Sequence, residues 1–222
     1  MPILPHRPHP ADYGALAPYY DLLAVVAFGG GLRRAQRAAL AAGLAGLGPA
    51  PRVLVLGGGP GWVLRPLWRQ CPKAQVLYLE VSAPMLARTA ARLRRTPPPP
   101  GASIELRQGS EVALGPSEQF DAIVTFFVLD SFLPETLPAA LARLAAARQP
   151  GAPWLVADFR PARGGWRRGL LALMYWFFGW AVGLEARRMP PWPAGLAALG
   201  LQPAWERCFL GGAVAAQVWR PA

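Results

Sequence analysis

The order of apolar and polar positions divides the chain into three stretches. In the first, residues 13–28 (YGALAPYYDLLAVVAF) form a helical region broken by Gly29, Gly30 and Gly31. A second helix is predicted over about 32–47, where Leu40, Leu44 and Leu47 recur at i, i+4 and i+7 before Gly48 and Pro49 stop it. From residue 52 the period changes. RVLVL (52–56), QVLYLE (75–80), SIELR (103–107), DAIVTFFV (121–128) and PWLVAD (153–158) are short runs rich in strand formers. Helices are predicted between them, starting near Trp62 and spanning 83–95 and 135–148. Strands alternating with helices imply an α/β fold with a parallel sheet covered on both faces, and continuous apolar runs imply strands buried on both sides.

The third stretch is different again. Residues 166–184 are strongly apolar, and Leu170 to Leu184 is fifteen residues without a charge, flanked by Arg167-Arg168 and Arg187-Arg188. A short helix follows over 194–200. Two more strand-like runs, about 203–209 and 213–219, are separated by Gly211-Gly212, the signal of an antiparallel hairpin. The expected architecture is therefore α/β: a doubly wound, mostly parallel seven-stranded sheet ending in an antiparallel C-terminal hairpin.

Composition bounds this picture. A chain of 222 residues that is 53% hydrophobic fits one domain with a substantial core, and disorder as its overall state is excluded. We expect a flexible, Pro-rich leader over 1–12 and a single domain over 13–222, with a helical cap at 13–48 and an apolar lid at 166–190. His6 and His9 in the leader have no third ligand nearby, so no metal is expected. Cys71 and Cys208 are far apart in sequence and fit reduced thiols in a cytoplasmic protein. The leader has no apolar core of signal-peptide length. The net charge is +11, almost all of it arginine in scattered pairs such as Arg33-Arg34 and Arg94-Arg95. A solvated surface and an anion-binding patch are both open readings of that charge.

Candidate chemistry lies in VLVLGGGPG (53–61). Gly57, Gly59 and Gly61 alternate directly after the first strand, and Gly58 fills the gap. A nucleotide-type ligand needs bare backbone at this point, where a Cβ would block the approach or forbid the φ angle. The next helix aims its N-terminus at the same place. Glu80 closes the second strand nineteen residues after Gly61, where a carboxylate can accept hydrogen bonds from both ribose hydroxyls. Such charge-assisted bonds are worth roughly 1.5–3 kcal/mol. The nicotinamide fingerprint GxGxxG would need a glycine where Trp62 stands, so an oxidoreductase is disfavoured.

The complete GxGxG pattern, the acid closing the second strand and the C-terminal hairpin together resemble the class I S-adenosylmethionine-dependent methyltransferases, over about residues 50–222. The resemblance implies the Rossmann-like methyltransferase fold and S-adenosylmethionine as cofactor. It also implies roles for Glu80 (ribose), Val81 (adenine packing) and Met85, in the stretch Glu80-Val81-Ser82-Ala83-Pro84-Met85-Leu86. Relatives often carry Gly-Asp-Ala after the third strand, the Asp meeting the adenine amino group. This chain has Gly109-Ser110-Glu111, so Ser110 or Glu111 would take that part. Phe126, within Thr125-Phe126-Phe127-Val128, would line the transfer site. Enzymes that methylate exocyclic base amines often carry Asn/Asp-Pro-Pro-Tyr there; this chain does not.

Tyr20-Asp21 is similar to a feature of quinone-biosynthesis-type small-molecule methyltransferases. The resemblance places Tyr20, with Tyr13 and Tyr19, over the cofactor, where an aromatic face near a sulfonium gains about 0.5–2 kcal/mol; ordinary packing aromatics are the competing reading. No catalytic residue is assigned: Asp130 and Asp158 stand where a general base could sit, and a structural role is the competing reading. The apolar segment 170–184 is too short for an ordinary transmembrane helix. It is open to three readings: a buried lid helix, the wall of a lipophilic acceptor's pocket, or an interfacial membrane contact. The expected partner is a small-molecule acceptor, apolar or aromatic, with nucleic acid disfavoured and peripheral membrane association an option. A non-catalytic binding module of the same fold and an RNA methyltransferase are the alternatives.

Overall fold

The computed structural model describes residues 30–160 and 190–222. The leader at 1–12, the tyrosines Tyr13, Tyr19 and Tyr20, and nearly all of the expected lid at 166–190 lie outside the described residues.

Seven strands, β1 (Arg52–Leu56), β2 (Gln75–Glu80), β3 (Ser103–Gln108), β4 (Ala122–Phe126), β5 (Trp154–Phe159), β6 (Leu201–Phe209) and β7 (Val214–Pro221), form one sheet in the order β3-β2-β1-β4-β5-β7-β6. The first five are parallel neighbours, and β7 runs antiparallel between β5 and β6. The hairpin turn is Leu210-Gly211-Gly212, all three at positive φ, which the two glycines accommodate without a Cβ penalty. β6 is an edge strand, and its ladder is interrupted between Pro203 and Trp205, a feature that discourages edge-to-edge pairing.

The central strands are buried on both sides, and successive residues feed two separate cores. Val53, Val55, Val76, Tyr78, Val124 and Leu155 face one cluster. Leu54, Leu56, Leu77, Leu79, Ile123 and Val156 face the other. The first core is covered by α1 (Gly31–Leu44), α2 (Leu64–Gln70) and α3 (Ala83–Arg95). The second is covered by α4 (Leu137–Ala146) and α5 (Trp192–Ala198). Fully burying one such aliphatic side chain contributes about 1.5–3 kcal/mol. α1, the described part of the expected N-terminal cap, lies flat on the sheet. A Cβ at Gly43 would come within 2.4 Å of the Leu155 side chain, so the helix approaches β5 more closely than alanine allows.

Most expected elements are present within a residue or two. The clearest difference is β4, expected over 121–128 and observed over Ala122–Phe126. At its start the Asp121 carboxylate accepts from the Arg52 N–H at 2.8 Å. At its end Phe127 takes φ 56°, which turns the chain off the sheet. A bulky residue in the left-handed region is costly and concentrates at functional sites.

Candidate functional site

The site forms at the C-terminal edge of the parallel strands, where β1 and β2 release the chain. The Gly57 N–H donates to the Leu79 carbonyl at 2.8 Å, which keeps the loop beside β2 beyond the end of β1. Gly57, Gly59 and Gly61 take φ of +64°, +62° and +78°. Gly58 is needed for space: a Cβ there would stand 2.3 Å from the Tyr78 hydroxyl. Around Gly59 the surroundings are open, with nothing within 4 Å of where a Cβ would be.

Glu80 lies against this loop. One carboxylate oxygen accepts from the Gly59 N–H at 2.9 Å and the other from the Ser82 N–H at 2.9 Å. The residue is only 5% exposed, and burial pushes its carboxyl above the usual range while the backbone N–H groups of Ser82, Gly59 and Val81 pull it back. Each oxygen keeps a second lone pair for a further donor. Ser82 also caps α3, its Oγ accepting from the Met85 N–H at 3.4 Å.

Three residues that the sequence reading missed hold the loop from beneath. The Tyr78 hydroxyl and Thr89 Oγ1 each donate to the Gly59 carbonyl at 2.9 Å, and Arg92 Nε donates to the Pro60 carbonyl at 2.9 Å. Burial drives the Tyr78 phenol well above its ordinary pKa, so it stays a donor. Thr89 had a sequence signal: it is a polar residue one turn after Met85 on the buried stripe of α3. Tyr78 and Arg92 had none.

The other expected contacts are placed as follows. Val81 is 56% exposed beside Glu80, an apolar side chain left open. Met85 is buried and Phe126 is buried at the end of β4. Ser110 begins a short turn (Glu111–Ala113) after β3, and its hydroxyl caps no backbone N–H there. Glu111 is buried, and its Oε2 has no hydrogen-bond partner. An orphaned buried carboxylate oxygen is expensive unless a donor meets it. Tyr20 lies outside the described residues.

At the ends of β4 and β5, Asp130 and Asp158 form an acidic pair. Asp158 is fully buried; its Oδ2 accepts from the Asp130 N–H at 3.3 Å and its Oδ1 from the Phe159 N–H at 2.8 Å. Burial raises the Asp130 carboxyl to about 6. Burial, and then the neighbouring Asp130 charge, raise that of Asp158 well above the usual range. Such a pair holds a proton that an isolated aspartate would have lost.

With this geometry in place, comparison with known proteins adds three findings. Residues 53–151 match a protein family described as a methyltransferase domain. No protein of curated function matches the sequence. Solved structures share the fold. The mitomycin 7-O-methyltransferase MmcR is 21% identical with a TM-score of 0.66, covering 86% of this chain and 54% of its own. An N,N-8-amino-8-demethyl-D-riboflavin dimethyltransferase from Streptomyces davawensis is 21% identical, with a TM-score of 0.58 and coverage of 77% and 49%. A SAM-dependent methyltransferase from Methanosarcina mazei is 14% identical, with a TM-score of 0.60 and coverage of 79% and 94%. The chain thus spans about half the length of the first two. Fold and match define the class: this is a Rossmann-like methyltransferase fold with antiparallel C-terminal strands, and its central stretch, residues 53–151, matches the methyltransferase domain family.

Proposed function

We propose that the protein is an S-adenosylmethionine-dependent methyltransferase acting on a small apolar or aromatic acceptor, of the branch that modifies quinone-like molecules. The observation that carries this reading is the Glu80 carboxylate hydrogen-bonded to the backbone of Gly59. It puts an acceptor-rich anion against a loop that is open at Gly59. The residues fit the cofactor on three counts. The loop presents bare backbone at Gly59, where nothing lies within 4 Å of where a Cβ would be. Glu80 keeps lone pairs for two hydroxyls. Glu111 offers an unmet buried acceptor after β3, suited to an amino group.

When bound, the cofactor supplies an electrophilic methyl group on a sulfonium, which an acceptor atom takes by in-line displacement. The chain's part is mainly alignment. Glu80 and the loop would hold the ribose end, and Val81 and Glu111 would bound the adenine end. For an acceptor that must lose a proton, the Asp130–Asp158 pair stands at the ends of β4 and β5 and can take one up as a general base. The small-molecule acceptors named for the mitomycin and riboflavin enzymes support an acceptor of that size here. No helix among the described residues is long and apolar enough to cross a membrane. We propose a cytoplasmic protein, with the apolar segment 170–184 contributing to the acceptor's surroundings.

A thermal-shift series with S-adenosylmethionine, S-adenosylhomocysteine and NAD tests this. A ligand at 100 times its dissociation constant stabilises the fold by about 2.7 kcal/mol. We expect a rise in Tm with the first two and none with NAD. A shift with NAD alone would overturn the reading. Consumption of S-adenosylmethionine with an added quinol acceptor separates an enzyme from a silent binding module.

A further inference from the structure

The arginines that look scattered in sequence converge in space. α1, α2 and α3 cover the same face of the sheet. They carry nine arginines, three on α1 (Arg33, Arg34, Arg37), two on α2 (Arg65, Arg69) and four on α3 (Arg88, Arg92, Arg94, Arg95), and no acidic residue. An unbalanced layer of this kind costs stability through self-repulsion, so the fold alone gives no reason for it.

Within this layer lies a groove of about 460 Å³, between α2 and the C-terminal end of α3. Arg37, Arg65, Arg69 and Arg92 rim it, and among the described residues no acidic side chain lines it. Trp62, Trp68, Leu93, Pro97 and Pro99 give it apolar and aromatic walls. It touches the glycine loop only at Gly61 and Trp62, and Glu80 is not part of it. Arg33 and Arg37 lie over the Trp62 ring, at 5.2 and 5.1 Å from its centroid, so the indole is fixed in a cationic frame.

We propose that this groove binds single-stranded nucleic acid, its phosphates on the arginine rim and a base against the Trp62 and proline walls. A cationic channel with aromatic walls is the arrangement that holds single strands without base-specific contacts. The shape favours this occupant over an anionic lipid surface. The site is concave, and none of the large hydrophobic side chains exposed among the described residues (Val81, Val112, Leu133 and Leu199) lies on α1, α2 or α3 to wedge into a bilayer. Of the two readings that the sequence leaves open for this charge, a solvated surface and an anion-binding patch, the convergence of the arginines on one layer favours the second. The absent Asn/Asp-Pro-Pro-Tyr still argues against methylation of a base amine, so the strand is a binding partner here. The inference does not depend on methyl transfer.

The test is fluorescence anisotropy of the full-length protein with a labelled single-stranded oligouridylate of about 20 nucleotides, long enough to exceed the site. Binding should weaken steeply with salt; three phosphate contacts give a log–log slope of about −2 for a single strand. Arg65→Glu/Arg69→Glu should weaken binding at least ten-fold and flatten that slope, while the S-adenosylhomocysteine thermal shift stays as in wild type. Arg37→Glu gives a second reading should the double variant fold poorly. Arg143→Glu, on the opposite layer, should change nothing. Absence of oligonucleotide binding overturns the proposal. Binding that is indifferent to all three groove positions also overturns it, as does sedimentation with phosphatidylserine vesicles without oligonucleotide binding. A failed cofactor shift with intact, groove-dependent oligonucleotide binding would sink the methyltransferase reading and leave this one standing.

Discussion

On one face of the sheet, α1 and α2 press Ala35, Leu40, Leu67 and Trp68 inwards, and the layer that they form with α3 carries nine arginines. On the other face, α4 and α5 press Leu137, Leu141, Leu144 and Leu196 inwards, and Arg143 is their one charged residue. Both layers meet the same requirement, an apolar stripe matched to one side of a buried parallel sheet. Only one carries dense charge outside that stripe. The comparison separates what the fold demands from what is laid over it: buried positions are interchangeable between layers in kind, and outer positions are not.

The largest effects should come from the demand both layers share. Leu67→Ala in α2 and Leu141→Ala in α4 remove side chains that are 0% and 1% exposed. Each should cost about 2–5 kcal/mol in chemical denaturation. A large inequality between them would mean that one layer contributes little to the core.

Next is the acidic pair at the ends of β4 and β5. Its carboxyls are raised in the fold, Asp130 to about 6, above the roughly 3.9 of an unfolded aspartate. The stability that the protonated pair contributes is complete below about pH 4 and is lost as pH rises through the folded value. The unfolding free energy of wild type should therefore fall between pH 4 and 7 relative to Asp158→Asn, on the order of 2 kcal/mol. Parallel pH profiles for the two proteins would refute the pairing.

Smaller again is the loop support on the arginine side. Tyr78→Phe leaves the Gly59 carbonyl its bond from Thr89 and should cost about 1 kcal/mol. Tyr78→Phe with Thr89→Val leaves that carbonyl without either donor and should cost more than the two single changes together. The smallest effect is general screening. Moderate salt should raise wild-type stability by about 0.5 kcal/mol, and neutralising Arg65 and Arg69 to Gln should reduce that rise.

What was legible in the sequence follows from where the cause lies. β1 and β2 match their expected bounds because central parallel strands bury both faces and leave an unbroken apolar run. The glycine loop and Glu80 were legible because a backbone constraint writes itself as glycine, and a strand end fixes its last side chain. β4 was read too long, because Phe127 leaves the sheet through a left-handed φ that a run of apolar residues hides. Tyr78 and Arg92 were missed because their partners are carbonyls brought near by folding, and carbonyls carry no residue identity. That the arginines share one layer was hidden for the same reason: positions 33 to 95 meet only after α1, α2 and α3 settle on one face.

The central claim is that Glu80 and the loop at Gly57 to Gly61 hold one adenosine. Calorimetric titration of S-adenosylhomocysteine into wild type, Glu80→Ala and Glu80→Gln measures this directly, with melting curves without ligand to establish that the variants are folded. Loss of one charge-assisted hydrogen bond, about 1.5–3 kcal/mol, predicts at least ten-fold weaker binding by both variants. Wild-type affinity in a folded Glu80→Ala protein would contradict the account.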